Sequence, residues 1–208
     1  MRFWPLIAGV ASKEQAARLV RHLKDPKEFW RPMVFPTLAA DEKEYKADGG
    51  YWLGAVWAPT NYAIIKGLER AGYDDVAAEA SERYLSGMAE VFGKTGTVWE
   101  NYAPESMVPG NPAAKDFVGW SGCGPIALLI ENVLGFRPDG ARNSLHWNLR
   151  LREPHGIRRL RFGKTTADLL YDGKSTITVT SDAPFELTIN SRSISIKQGE
   201  NRFENITF

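Results

Sequence analysis

The chain has 208 residues, 43% hydrophobic and 25% charged, and its 26 basic and 25 acidic side chains leave a formal net charge of +1. That length supports one large domain or two small ones with a core of their own, and so even a balance of charge gives no electrostatic argument for nucleic acid or an anionic membrane, neither of which is expected as a partner. The single cysteine, Cys123, excludes an internal disulfide framework and a thiolate zinc site.

Met1-Arg2 followed by Phe3 to Ala11 imitates a short signal peptide, but Pro5 interrupts the apolar run, so core packing is the expectation. The compartment stays open. No apolar run reaches the roughly 18 residues of a membrane span. Ser12-Lys-Glu-Gln15 forms a capping box that predicts a first helix, with Ala16, Leu19, Val20 and Leu23 on one face and Asp25-Pro26 as its stop. A long aromatic and proline-rich stretch, Phe29 to Trp57, carries no clear period, and such loops are often functional.

Pro59 opens a second helix that runs through Tyr62, Ile65 and Leu68 to Gly72. A third begins near Asp74 or Asp75, carries the stripe Ala77, Ala80, Tyr84, Met88, Val91 and Phe92, and ends at Gly93. After another long loop, Lys94 to Trp120, Ile126, Leu129, Ile130, Val133 and Leu134 give the clearest helical spacing, closed by Gly135. Cys123, at the start of that helix, is expected to be a buried structural thiol. From about residue 140 the period changes to two. Trp147-Leu149-Leu151, Ile177-Val179, Phe185-Leu187-Ile189 and Ile194-Ile196 alternate with polar residues, with turn signals at Pro154-His-Gly156, Asp172-Gly173 and Asp182-Ala-Pro184. About six antiparallel strands are expected. Arg150, Arg152, Arg158, Arg159 and Arg161 alternate with leucines and read as a solvated strand face.

Three loop clusters adjoin helix ends: Gly49 to Pro59, Trp99 to Tyr102, and Phe117 to Gly122. Trp52, Trp57, Trp99 and Trp120 offer flat apolar faces suited to a pyranose, and their indole N–H groups can donate to hydroxyls. Glycines 49, 50, 54, 119 and 122 allow close approach of backbone and ligand. Glu100 lies between two aromatics, a setting that favours a usable base. The composition leaves two readings open: aromatic loops that simply cover a core around a solvated or capping carboxylate, or a sugar-facing surface. His22, His146 and His155 lack metal-ligand spacing, so no metal or cofactor is expected.

The order of these clusters resembles the trehalase and glycoside hydrolase family 63 group of (α/α)6-toroid glycosidases. Tyr51-Trp52-Leu-Gly54-Ala-Val-Trp57 with Asn61-Tyr62, Trp57-Ala-Pro59, Glu100-Asn101-Tyr102, Phe117 to Ser121 and Phe3-Trp4-Pro5-Leu6 carry the likeness, over about residues 3 to 136. The resemblance implies a mainly α plus β chain: residues 1–140 as the carboxyl-terminal part of a toroid of helical hairpins, then residues 141–208 as a small antiparallel, sandwich-like β domain. It implies an inverting hydrolase with Glu100 as catalytic base. Tyr51, Trp52, Trp57 and Trp120 would bind an oligosaccharide or disaccharide, and Asn101 or Tyr102 would contact substrate or orient the base.

The family's general acid, an Asp in a Trp/Asp-rich motif upstream of the base, has no counterpart here. Asp48, Glu105 and Asp116 sit in other contexts. The resemblance therefore implies a fragment or split subunit that is inactive alone, with self-association or a partner chain completing the toroid. The alternative is a non-catalytic carbohydrate-binding or assembly module.

Overall fold

A computed structural model describes residues 3–205 and divides the chain into two compact units after Leu128. The first is helical: α1 (Trp4–Ala8), α2 (Lys13–Leu23), α3 (Ala58–Arg70), α4 (Asp74–Thr95) and α5 (Gly119–Leu128). The Ser12 capping box forms in full, with the Ser12 hydroxyl accepting from the Gln15 N–H and the Gln15 side chain accepting from the Ser12 N–H. Pro59 occupies the first turn of α3, where its missing N–H costs nothing. α4 runs past Gly93 to Thr95 and stops at Gly96, whose φ of 73° lets its N–H reach the Phe92 carbonyl.

α3 is the hub of this unit and packs against α1, α4 and α5. Its buried residues Ile64, Ile65 and Leu68 join Phe3, Leu6, Val20, Leu23, Tyr84 and Val91 in one core. The long stretch between α2 and α3 contributes Met33, Val34 and Phe35, all fully buried, so this loop is part of the core. No described helix is long and apolar enough to cross a membrane.

The helical stripe expected over Ile126 to Leu134 behaves differently along its length. Ser121, Pro125 and Leu128 take the buried face of α5, while Ile126 is exposed. Pro125 cannot donate a backbone N–H. After Leu128 the coil widens into a π-helical turn, Leu129–Val133, where the Leu134 N–H reaches back five residues to the Leu129 carbonyl. Leu129 is exposed, whereas Ile130 and Leu134 pack on the core of the second unit.

That unit holds β1 (Phe136–Asp139), β2 (Ser144–Trp147), β3 (His155–Phe162), β4 (Thr165–Tyr171), β5 (Ile177–Ser181), β6 (Phe185–Ile189), β7 (Arg192–Ile196) and β8 (Gly199–Phe203). Two four-stranded sheets, ordered β1-β2-β6-β7 and β3-β4-β5-β8, share one core, with Trp147, Leu187 and Ile189 from one sheet and Leu169, Ile177 and Val179 from the other. The pairing is antiparallel except at β2 and β6, which run parallel with Leu145 opposite Leu187. This corrects the expectation of an all-antiparallel domain. β3, β4 and β5 form the long connection that parallel neighbours require. The five arginines of the basic cluster are all exposed.

Candidate functional site

A small set of bridges outside the named strands ties the first two clusters of the helical unit together, and the Phe117 N–H joins the third through the Val98 carbonyl (3.1 Å). Val56 and Tyr102 exchange backbone hydrogen bonds of 2.8 and 3.0 Å, Trp99 pairs with Lys115, and Gly49 with Asn111. Gly54 makes the tight return before Val56. Its φ is 149°, and a Cβ there would stand 2.6 Å from the Lys46 carbonyl oxygen.

Glu100 sits on this framework, partly exposed. Its backbone N–H donates to the Ala114 carbonyl (3.0 Å), and the Ala114 N–H donates to Glu100 Oε2 (3.2 Å). On the other side the Tyr51 hydroxyl donates to Oε1 at 3.4 Å. The Trp120 indole N–H and the Ser121 hydroxyl both reach the Glu100 carbonyl oxygen at 3.3 Å. Partial desolvation, reinforced by the Glu100 carboxylate, pushes the Tyr51 phenol above its ordinary value and keeps it a donor.

Aromatic rings gather beside this carboxylate. Trp52 and Trp57 stack with centroids 4.3 Å apart, the Tyr51 ring meets Trp57 edge-on at 4.9 Å, and Trp120 lies 6.0 Å from Trp57. Tyr51, Trp52 and Trp120 are 38%, 51% and 43% exposed, but Trp57 is 1% exposed. Trp57 is therefore the buried support of the platform, and its indole N–H is spent on the Tyr51 carbonyl (3.1 Å). The half-exposed indoles of Trp52 and Trp120 beside a carboxylate offer a sugar both an apolar face and polar groups.

Asn101 and Tyr102 do not join this surface. Both are buried, at 0% and 1% exposed. The Asn101 amide donates to the Pro112 carbonyl (3.1 Å), and the Tyr102 hydroxyl accepts from the Trp99 N–H (3.2 Å). The chain crosses between Val56 and Pro109 at Tyr102, which turns the ring into the core. Direct contact of either residue with a sugar, expected from the sequence, is not what this arrangement presents. Two of the other carboxylates are committed elsewhere: Glu105 to Arg31 and Tyr45, Asp48 to Asn111.

Alongside Trp120 a cleft of about 340 Å³ is lined by Ala58, Pro59, Tyr62, Cys123 and Ala127. Cys123 is exposed, contrary to the buried thiol expected, because Ser121 and Pro125 occupy the inward face of α5. Among the described residues no group of three His, Cys, Asp or Glu side chains could hold a metal ion.

The sequence model of the mannosylglycerate hydrolase MGH1-like glycoside hydrolase domain matches residues 1–117, and the chain belongs to that family. It is similar to an uncharacterized protein of Borreliella burgdorferi, 28% identical over 202 residues, covering 90% of this chain and 43% of the relative. It is also 28% identical over 135 residues to a periplasmic trehalase of Xanthomonas axonopodis pv. citri, covering 62% of this chain and 22% of that enzyme. Among solved structures, an uncharacterized conserved protein from Thermus thermophilus shares the fold over 61% of this chain and 28% of its own, with a TM-score of 0.51 and 23% identity. The chain thus spans less than half the length of these relatives.

Proposed function

We propose that this chain supplies the general base and the sugar platform of an inverting glycosidase acting on an α-glycosidic bond, with Glu100 as the base. The observation that carries the reading is the Glu100 carboxylate, held through both oxygens at the edge of the Tyr51, Trp52 and Trp120 surface, in a member of a glycoside hydrolase family. Glu100 takes a proton from water as the water oxygen attacks the anomeric carbon. The glycosidic C–O bond breaks on the opposite face, and a carboxylic acid from polypeptide outside these residues protonates the leaving oxygen. Such a pair stands roughly 6.5–9.5 Å apart, leaving room for the water. The helical unit then forms part of an (α/α)6 toroid, and the substrate is an oligosaccharide or a disaccharide such as trehalose or a mannosylglycerate-type glycoside.

The test is Glu100→Gln in a hydrolysing polypeptide that contains these residues. Turnover is expected to fall on the order of 10²–10⁴-fold with sugar binding kept, as for loss of a general base. Near-normal turnover sinks the assignment.

A second reading is favoured by the exposed apolar residues Val118, Trp120 and Ile126 on and beside α5: a module without catalysis of its own that binds sugar or assembles with a second chain. Calorimetric sugar binding without hydrolysis of aryl α-glycosides, trehalose or mannosylglycerate by the chain alone fits either arrangement. Restored hydrolysis on adding a complementary polypeptide carrying the acid decides for the first.

A further inference from the structure

We propose that Tyr51 is the positioning residue of Glu100, holding the rotation of its carboxylate through the phenol O–H to Oε1 contact. The inference rests on the reading of Glu100 as base and moves to Tyr51 the role that the motif order gave to Asn101 or Tyr102.

The geometry of Tyr51 is built from three directions. Its backbone lies in the left-handed region, φ 61°, which a tyrosine adopts only when its surroundings over-determine it. Those surroundings are visible: the buried Trp57 indole N–H holds the Tyr51 carbonyl, and the Trp57 and Trp52 rings border the phenol at 4.9 and 6.0 Å, both edge-on. The phenol is thereby aimed at Oε1 while the main chain of Ala114 holds Oε2. A carboxylate gripped at each oxygen keeps one plane, and the lone pairs left over face a defined direction. A base whose plane is fixed meets an incoming water without first losing its own rotational freedom.

Asn101 and Tyr102 do not take this role, because both are buried beneath the surface, where the Asn101 amide N–H donates to Pro112 and the Tyr102 hydroxyl accepts from Trp99. Trp57 in turn acts through Tyr51. Removing it frees the Tyr51 carbonyl and both neighbouring rings without touching Glu100 directly.

Two measurements test the proposal. In the full 208-residue chain, the ring Cζ resonance of Tyr51 is followed by NMR against pH, with assignment through bonds. Desolvation and the Glu100 carboxylate hold this phenol above its ordinary value, so Glu100→Gln is expected to move its midpoint to lower pH. An unmoved midpoint overturns the inference whatever the fate of the base. In the hydrolysing polypeptide, Tyr51→Phe keeps the ring and removes the donor. It is expected to lower kcat about tenfold, the value of one hydrogen bond to a charged group, with KM nearly unchanged. A rise in KM with kcat intact shows a substrate contact and overturns the positioning role. If instead Glu100→Gln shifts the Tyr51 midpoint but leaves turnover intact, the contact stands and the base assignment falls.

Discussion

The indoles of Trp52 and Trp57 lie face to face, their centroids 4.3 Å apart and their planes 1° from parallel. One face of Trp57 is thus taken by another side chain, and Trp52 presents the outward surface. The two residues belong to one motif yet should respond differently to truncation. Trp57→Ala empties a fully buried site and is expected to cost about 3–5 kcal/mol. Trp52→Ala forfeits a stacking partner and little burial, costing about 1 kcal/mol, and is expected to weaken sugar binding. Urea denaturation alongside calorimetry separates the two effects. Equal losses of stability would contradict the layered arrangement.

Gly110 lies so close to Asn101 that a Cβ would stand 1.9 Å from the amide oxygen. That oxygen is buried and accepts no hydrogen bond among the described residues. Gly110→Ala is therefore expected to displace the Asn101 side chain and destabilise the fold by about 1–3 kcal/mol through overpacking. Asn101→Ala removes the obstructing atoms, so the double variant should cost less than the sum of the singles. A double-mutant cycle in urea reads this coupling directly, and strict additivity would show that the clash is relieved elsewhere.

Glu105 is gripped by Arg31 through both oxygens, at 2.7 and 2.8 Å, and by the Tyr45 hydroxyl at 2.5 Å. The Arg31 hydrogen bonds hold its carboxyl below the usual range. Because the folded value lies below the unfolded one, the pair stabilises the fold fully at pH above the unfolded carboxylate range, and this contribution is lost as pH falls through the folded value. Glu105→Gln is expected to lower stability by ~2 kcal/mol at neutral pH and to flatten the acid limb of a stability–pH profile. An unchanged acid limb would show that the ion pair is solvated in solution.

Sequence periodicity located α2, α3 and α4 because their capping and apolar signals are local: Ser12 with Gln15, Pro59 at the start of α3, Ala77 to Val91 along α4. It was weaker where tertiary packing decides. The spacing of Ile126, Leu129 and Leu134 promised one continuous helix face, but Pro125 and the π-helical turn change which residues face inward. In the β unit, Ala167, Leu169 and Tyr171 of β4 point to the core, but Leu170 between them breaks the alternation that marks a strand. Every residue of β8 except Phe203 is polar or glycine, so its pairing with β5 left no apolar trace. At the site, the residues of the motifs, Tyr51, Trp52, Trp57, Glu100 and Trp120, lie together: the Val56–Tyr102 bridge joins the first two segments, and the Trp120 indole N–H reaches the Glu100 carbonyl. What adjacency in a motif does not reveal is the side of the chain a residue takes. Glu100 stays at the surface, while its neighbours Asn101 and Tyr102 turn inward.

The exposed thiol of Cys123 shares a cleft with the Trp120 ring, and it is the sole cysteine of the chain. A maleimide dye would therefore attach at one known position, without mutagenesis, next to an indole whose N–H touches the Glu100 backbone. Quenching or energy transfer between that label and Trp120 would turn occupancy of the aromatic surface into an optical signal, readable with no bond in the sugar being broken.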